Sequence, residues 1–121
     1  MPPQDKAGRL LWEIGRFRDA CVLHGNDIPY REYPAGWVVD NLRMTGFAVL
    51  GVKHFDIRYK SLFVNAQIDV CVPILEKLAD RDLAKALKAR GEALRAEALE
   101  IIEAEGALCS GRNYVIAAEP V

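Results

Sequence analysis

AGWVVDNLRMTGFAVLGVKHF, Ala35 to Phe55, decides the fold, because it holds a helix, its stop signal and a strand without an intervening linker. Pro34 suits a helix's first turn, where its missing N–H costs nothing, and Trp37, Val38, Leu42 and Met44 or Thr45 follow at helical spacing. Gly46 can take the left-handed conformation that closes a helix. From Phe47 to Val52 the apolar residues no longer keep a helical period, which predicts a strand covered on both faces. A second apolar run, NYVIAAEPV (Asn113 to Val121), predicts the last strand over Tyr114 to Ala118, after a turn at Ser110-Gly111.

Working outward, Met1 to Asp5 reads as a flexible lead-in, with Asp5 placed to cap a helix from about Lys6 to Leu23. Leu10, Ile14, Phe17 and Cys21 make its inner face, and Trp12 and Trp37 are expected in the core. HGNDIP (His24 to Pro29) breaks that helix. Tyr59 to Ala79 favours helix, kinked or divided at Pro73. Asp80 or Asp82 caps a long helix to about Glu105, with Leu83, Leu87, Leu94, Ala98 and Ile101 inward and Gly106 as its stop. The expectation is an α+β fold, about four helices with a small antiparallel pair of strands, in a single domain over residues 1–121.

A net charge of -1 with 27% charged and 51% hydrophobic residues fits a soluble globular chain. Basic residues form no stripe with interleaved aromatics, so nucleic acid is not an expected partner. No apolar run is long enough to span a bilayer, and no signal pattern opens the chain, so a membrane is not expected and a cytoplasmic location is. Cys21, Cys71 and Cys109 are odd in number and set among apolar residues, as reduced, buried thiols are. With only His24 and His54 and no paired-cysteine motif, a metal site is not expected.

The helix ending in Gly46-Phe47, the strand, the helical excursion and the closing Tyr114-Val115-Ile116-Ala117-Ala118 together resemble the final segments of class I S-adenosylmethionine-dependent methyltransferases. The resemblance covers most of the chain but only the second half of that family's domain. It implies a Rossmann-like fold position and a substrate-facing role toward a small molecule. No two of the chain's glycines are separated by a single residue, so the Gly-x-Gly turn that receives the cofactor is missing. The resemblance therefore implies no cofactor-binding residue here, and S-adenosylmethionine only where another chain or segment supplies the glycine loop. It also implies that the family's last two strands pair antiparallel.

Trp12 to Pro34 resembles the insertion that helps build the substrate pocket in small-molecule members of the family. Within it, Arg16 and Asp19 lie three apart and could clamp a polar substrate, or simply pair with each other on the helix surface. His24 could act as a base, or stabilise the helix C-terminus. Tyr30, Arg31, Glu32 and Tyr33 concentrate phenols and charge between two breakers, either as a pocket wall suited to a cationic group or as a loop pinned by packing. No catalytic residue is assigned, which suits a reaction that mainly needs alignment of the acceptor. Whether the chain is an enzyme depends on a cofactor-binding half. The competing readings are a non-catalytic helical interaction domain, forming a homodimer or joining a partner chain, and a small-molecule binder without chemistry.

Overall fold

A computed structural model describes residues 5–29 and 33–121. Among them are five helices, α1 (Lys6–His24), α2 (Ala35–Met44), α3 (Ser61–Asp69), α4 (Val72–Lys77) and α5 (Arg81–Glu105), and two strands, β1 (Phe47–Tyr59) and β2 (Leu108–Pro120). The strands form one two-stranded sheet. The Val121 N–H donates to the Gly46 carbonyl at 2.9 Å, so the end of β2 lies beside the start of β1 and the pair is antiparallel. This is the α+β fold expected, the fifth helix arising because the segment around Pro73 divides into α3 and α4.

The chain divides into two compact units, Met1–Tyr30 with Arg58–Ser110, and Arg31–Ile57 with Gly111–Val121. The first holds α1, α3, α4 and α5 around one core. Leu10, Ile14, Phe17 and Cys21 of α1 meet Val64, Ile68, Cys71 and Leu75 of the α3–α4 segment and Leu94 and Ala98 of α5. Leu108, at the start of β2, is fully buried in the same cluster. Close approach of α1 and α5 depends on Gly91, where a Cβ would stand 2.6 Å from Phe17 Cζ.

Capping and polar links fix this unit. The Asp5 and Asp80 carboxylates accept from the N–H groups of Gly8 (2.8 Å) and Leu83 (3.0 Å), each satisfying an orphan donor at a helix start. Gly106 closes α5 at φ 86°, in the left-handed region that favours glycine. At the far end of α4, Arg81 Nη1 donates to the carbonyls of Leu75, Glu76 and Leu78 at 3.0–3.1 Å, satisfying acceptors that the short helix leaves open. Arg95 ties α5 to α3 through Asn65 (2.7 Å) and Asp69 (2.6 Å), and Arg18 ties α1 to α3 through Gln67 (2.9 Å).

The second unit holds α2 and most of the ribbon, and none of its described residues is buried. Here the expectations need correction. β1 does not stop at Val52 but continues to Tyr59, and it is exposed from Leu50 to Asp56 rather than covered on both faces. Ser110-Gly111 is no turn but part of β2, which begins at Leu108 instead of Tyr114. The physical reason is common to both: each long strand offers backbone donors and acceptors to the other, and continuous pairing outweighs the local preferences of Lys53, Asp56 and Ser110-Gly111. Tyr59 likewise belongs to β1 and not to the following helix. The tryptophans are half-exposed, Trp12 at 41% and Trp37 at 49%, because neither lies on a helix face that meets the core.

Candidate functional site

Arg16 and Asp19 stand one helical turn apart on α1, with Arg16 Nη2 2.6 Å from Asp19 Oδ2. The guanidinium also lies 5.9 Å over the Trp12 ring, so its fork is engaged by its own helix from two sides. This is the surface pair foreseen as the plainer of its two roles.

His24 is the last residue of α1 and lines an open cleft of about 630 Å³ with Asn26, Pro73, Ile74, Lys77 and Leu78. The cleft lies within the helical unit and has an apolar wall from the α4 segment, with His24, Asn26 and Lys77 as polar members. Two local features shape it. Asn26 takes φ 62°, a left-handed conformation that asparagine tolerates, and turns the chain sharply after α1. Gly25 leaves room for Ile74, whose Cγ2 would lie 2.8 Å from a Cβ at that position. His24 and Lys77 both sit at helix C-termini, where a cation offsets the dipole of the carbonyls. The sequence signal for this cleft was present in the Gly25-Asn26 break and in Pro73, but Lys77 and Ile74 carry no motif that marks them.

Tyr33 belongs to the second unit. Its ring stacks on Trp37 at 4.2 Å between centroids and 15° between planes, and its carbonyl accepts from the Tyr114 hydroxyl. Tyr33 is thus tied to β2 through its carbonyl and to α2 through its ring. Tyr30, Arg31 and Glu32 lie outside the described residues. Of the six candidate substrate residues, Arg16 and Asp19 come together, His24 joins the cleft, and Tyr33 is placed on the α2 side.

The thiols separate by environment. Cys21 and Cys71 are buried together, and the Cys21 pKa is pushed up to about 12, first by burial and then by the neighbouring Cys71. Burial raises Cys71 as well. Both stay protonated and unreactive at neutral pH. Cys109 is exposed, correcting the expectation that all three would be buried, and it lies 3.7 Å from Arg58 Nη1. No group of three or more histidine, cysteine or acidic side chains among the described residues could hold a metal ion. No described helix is long and apolar enough to cross a membrane.

Gly25 and Gly91 face Ile74 and Phe17, so the space that each opens is filled by the protein itself. No protein-family model matches the chain, and neither a curated protein nor a solved structure matches it.

Proposed function

We infer that this chain is the substrate-facing C-terminal part of a class I S-adenosylmethionine-dependent methyltransferase acting on a small molecule, inactive by itself. One observation carries the reading: α2 leads directly into β1, and β1 pairs antiparallel with β2 across a helical excursion, while Leu50 (63%), Val52 (40%) and Val115 (57%) stand exposed on the ribbon. The order of elements is the one that the resemblance implies, and the bare apolar side chains are those that further strands and helices would cover. The residues of this chain would hold the acceptor and exclude water, with the Tyr30 to Tyr33 segment and the His24 cleft as the places to do so. The cofactor would be held by strands and a glycine loop from other polypeptide, and when bound it supplies an already activated methyl group. A cytoplasmic setting and a partner, either the complementary half or a second copy, belong to the same reading.

Titration calorimetry with S-adenosylhomocysteine tests it. The chain alone should give no binding heat, and its mixture with a co-encoded polypeptide carrying a Gly-x-Gly loop should bind one equivalent. Tight binding by the chain alone, or none by any such mixture, overturns the reading. The closed core of the helical unit favours a second reading, a non-catalytic interaction domain. That reading gains if the mixture forms a complex yet binds no cofactor.

A further inference from the structure

The ribbon unit has fewer than 40 residues and buries none of those described, and chains of that size seldom hold a fold without a metal, a disulfide or another subunit. Among the described residues each strand has a single strand neighbour, the other one, which leaves a second edge open to another chain. On β2, Pro120 removes one N–H, whereas β1 has no proline from Phe47 to Tyr59. The better free edge is therefore that of β1, and its exposed stretch runs from Leu50 to Asp56.

Symmetry restricts how β1 could pair with its own copy. A two-fold axis perpendicular to a sheet carries each face onto itself, so an antiparallel self-pair must place one residue directly opposite its own copy. An axis at Lys53 or Asp56 sets like charges face to face, which is destabilising. An axis at His54 leaves Asp56 facing Val52. Among the exposed positions from Leu50 to Asp56, only an axis at Phe55 sets a basic side chain opposite a carboxylate, His54 against the partner's Asp56, and symmetry does so twice. It also stacks Phe55, 40% exposed, against the partner's Phe55 and sets Lys53 opposite the partner's Ile57.

We propose that two copies of this chain join edge to edge through β1, with the two-fold axis at Phe55 and paired His54–Asp56 contacts, into a four-stranded sheet ordered β2-β1-β1-β2. The interface rests on the part of the functional reading that gives the ribbon a partner, and it leaves the outer edge of β2 to other strands. The cofactor titration does not depend on it, so the two can fail separately.

Phe55→Cys in a Cys109→Ser background tests the axis. Directly opposed residues lie about 4.5–5.5 Å apart between Cα atoms, within disulfide reach. Val115→Cys in the same background is the control, since the two β2 strands would lie about 14 Å apart, beyond that reach. With oxidised glutathione at micromolar protein, the Phe55→Cys chain should form a covalent dimer and the Val115→Cys chain should not. His54→Asp should weaken the unmodified dimer about tenfold at neutral pH by light scattering, and His54→Asp with Asp56→His should restore it. Circular dichroism of each variant checks that the helical unit is still folded. A monomer with intact helices, equal cross-linking at both positions, or a double variant no better than the single overturns the proposal. So does a chain that stays monomeric until a cofactor-binding polypeptide is added, in which case that polypeptide is the occupant.

Discussion

The helical unit and the ribbon unit are apolar in similar proportion, about half of the residues in each, and end in opposite states. Leu94, Val64 and Cys21 are fully buried, while Leu50, Met44 and Val115 stand more than half exposed. What separates them is periodicity matched to a neighbour. On α1 and α5 the apolar residues fall on one stripe, and each stripe has another helix to meet. On β1 the apolar residues fall on both faces, and a two-stranded ribbon has one layer of backbone and no second sheet. Apolar content alone does not make a core; a surface must find its complement.

The largest expected effect is in the helical unit. Leu94→Ala removes a fully buried side chain and should cost about 2–5 kcal/mol in urea unfolding. A loss below 1 kcal/mol would mean that α5 is not the keystone of this core. Gly91→Ala comes next. Helix propensity alone would favour alanine by about 1 kcal/mol, but the new Cβ would press on the Phe17 ring. Net destabilisation of about 1–3 kcal/mol is therefore expected, with relief in the Phe17→Leu background.

The Cys21 thiol gives a smaller, pH-dependent effect. Its folded pKa is raised from 9.0 to about 12. The unfolded chain therefore loses this proton first, and the contribution to stability is complete below pH 9 and declines as pH rises toward 12. Between pH 9 and 10 the Cys21 share of the loss should approach about 1 kcal/mol; Cys71, raised by burial as well, adds its own, so Cys21→Ala should reduce the loss without abolishing it, as thermal melts of the two proteins would show. Smallest is Leu50→Ala on the ribbon, within about 0.5 kcal/mol at concentrations where the chain is monomeric. A large effect there at low concentration would break the contrast between the units.

The helical part was legible in the sequence because its signals are local and agree with one another. Asp5, Asp80 and Gly106 mark ends, and the Leu10–Ile14–Phe17–Cys21 spacing marks a face. On α5 the expected inner side was right at Leu94 and Ala98 but missed Ala84 and Gly91, because close helix packing selects small residues that a hydropathy pattern undervalues. The ribbon was half legible. That two strands exist and pair could be read from Phe47–Val52 and Tyr114–Ala118, but their length could not, since it is set by the partner strand far away in sequence. For the candidate site, Arg16 and Asp19 were found as a pair because one helical turn guarantees their proximity. Lys77 was missed because its place in the same cleft as His24 depends on where the fold sets α4 against the end of α1, which no spacing encodes.

The ribbon also fixes an order of events. Its strands are separated by everything from Ser61 to Glu105, and they become neighbours where Tyr59 packs against the core and Leu108 is buried in it. Closing so long a stretch costs entropy that an isolated strand pair cannot repay, whereas a folded helical unit has already repaid it. The strands then zip outward from that anchored end, each pair bringing the next within reach. Amide exchange should show a gradient, slowest at Leu108, which is buried with the helices, and quickening along β2 toward Pro120.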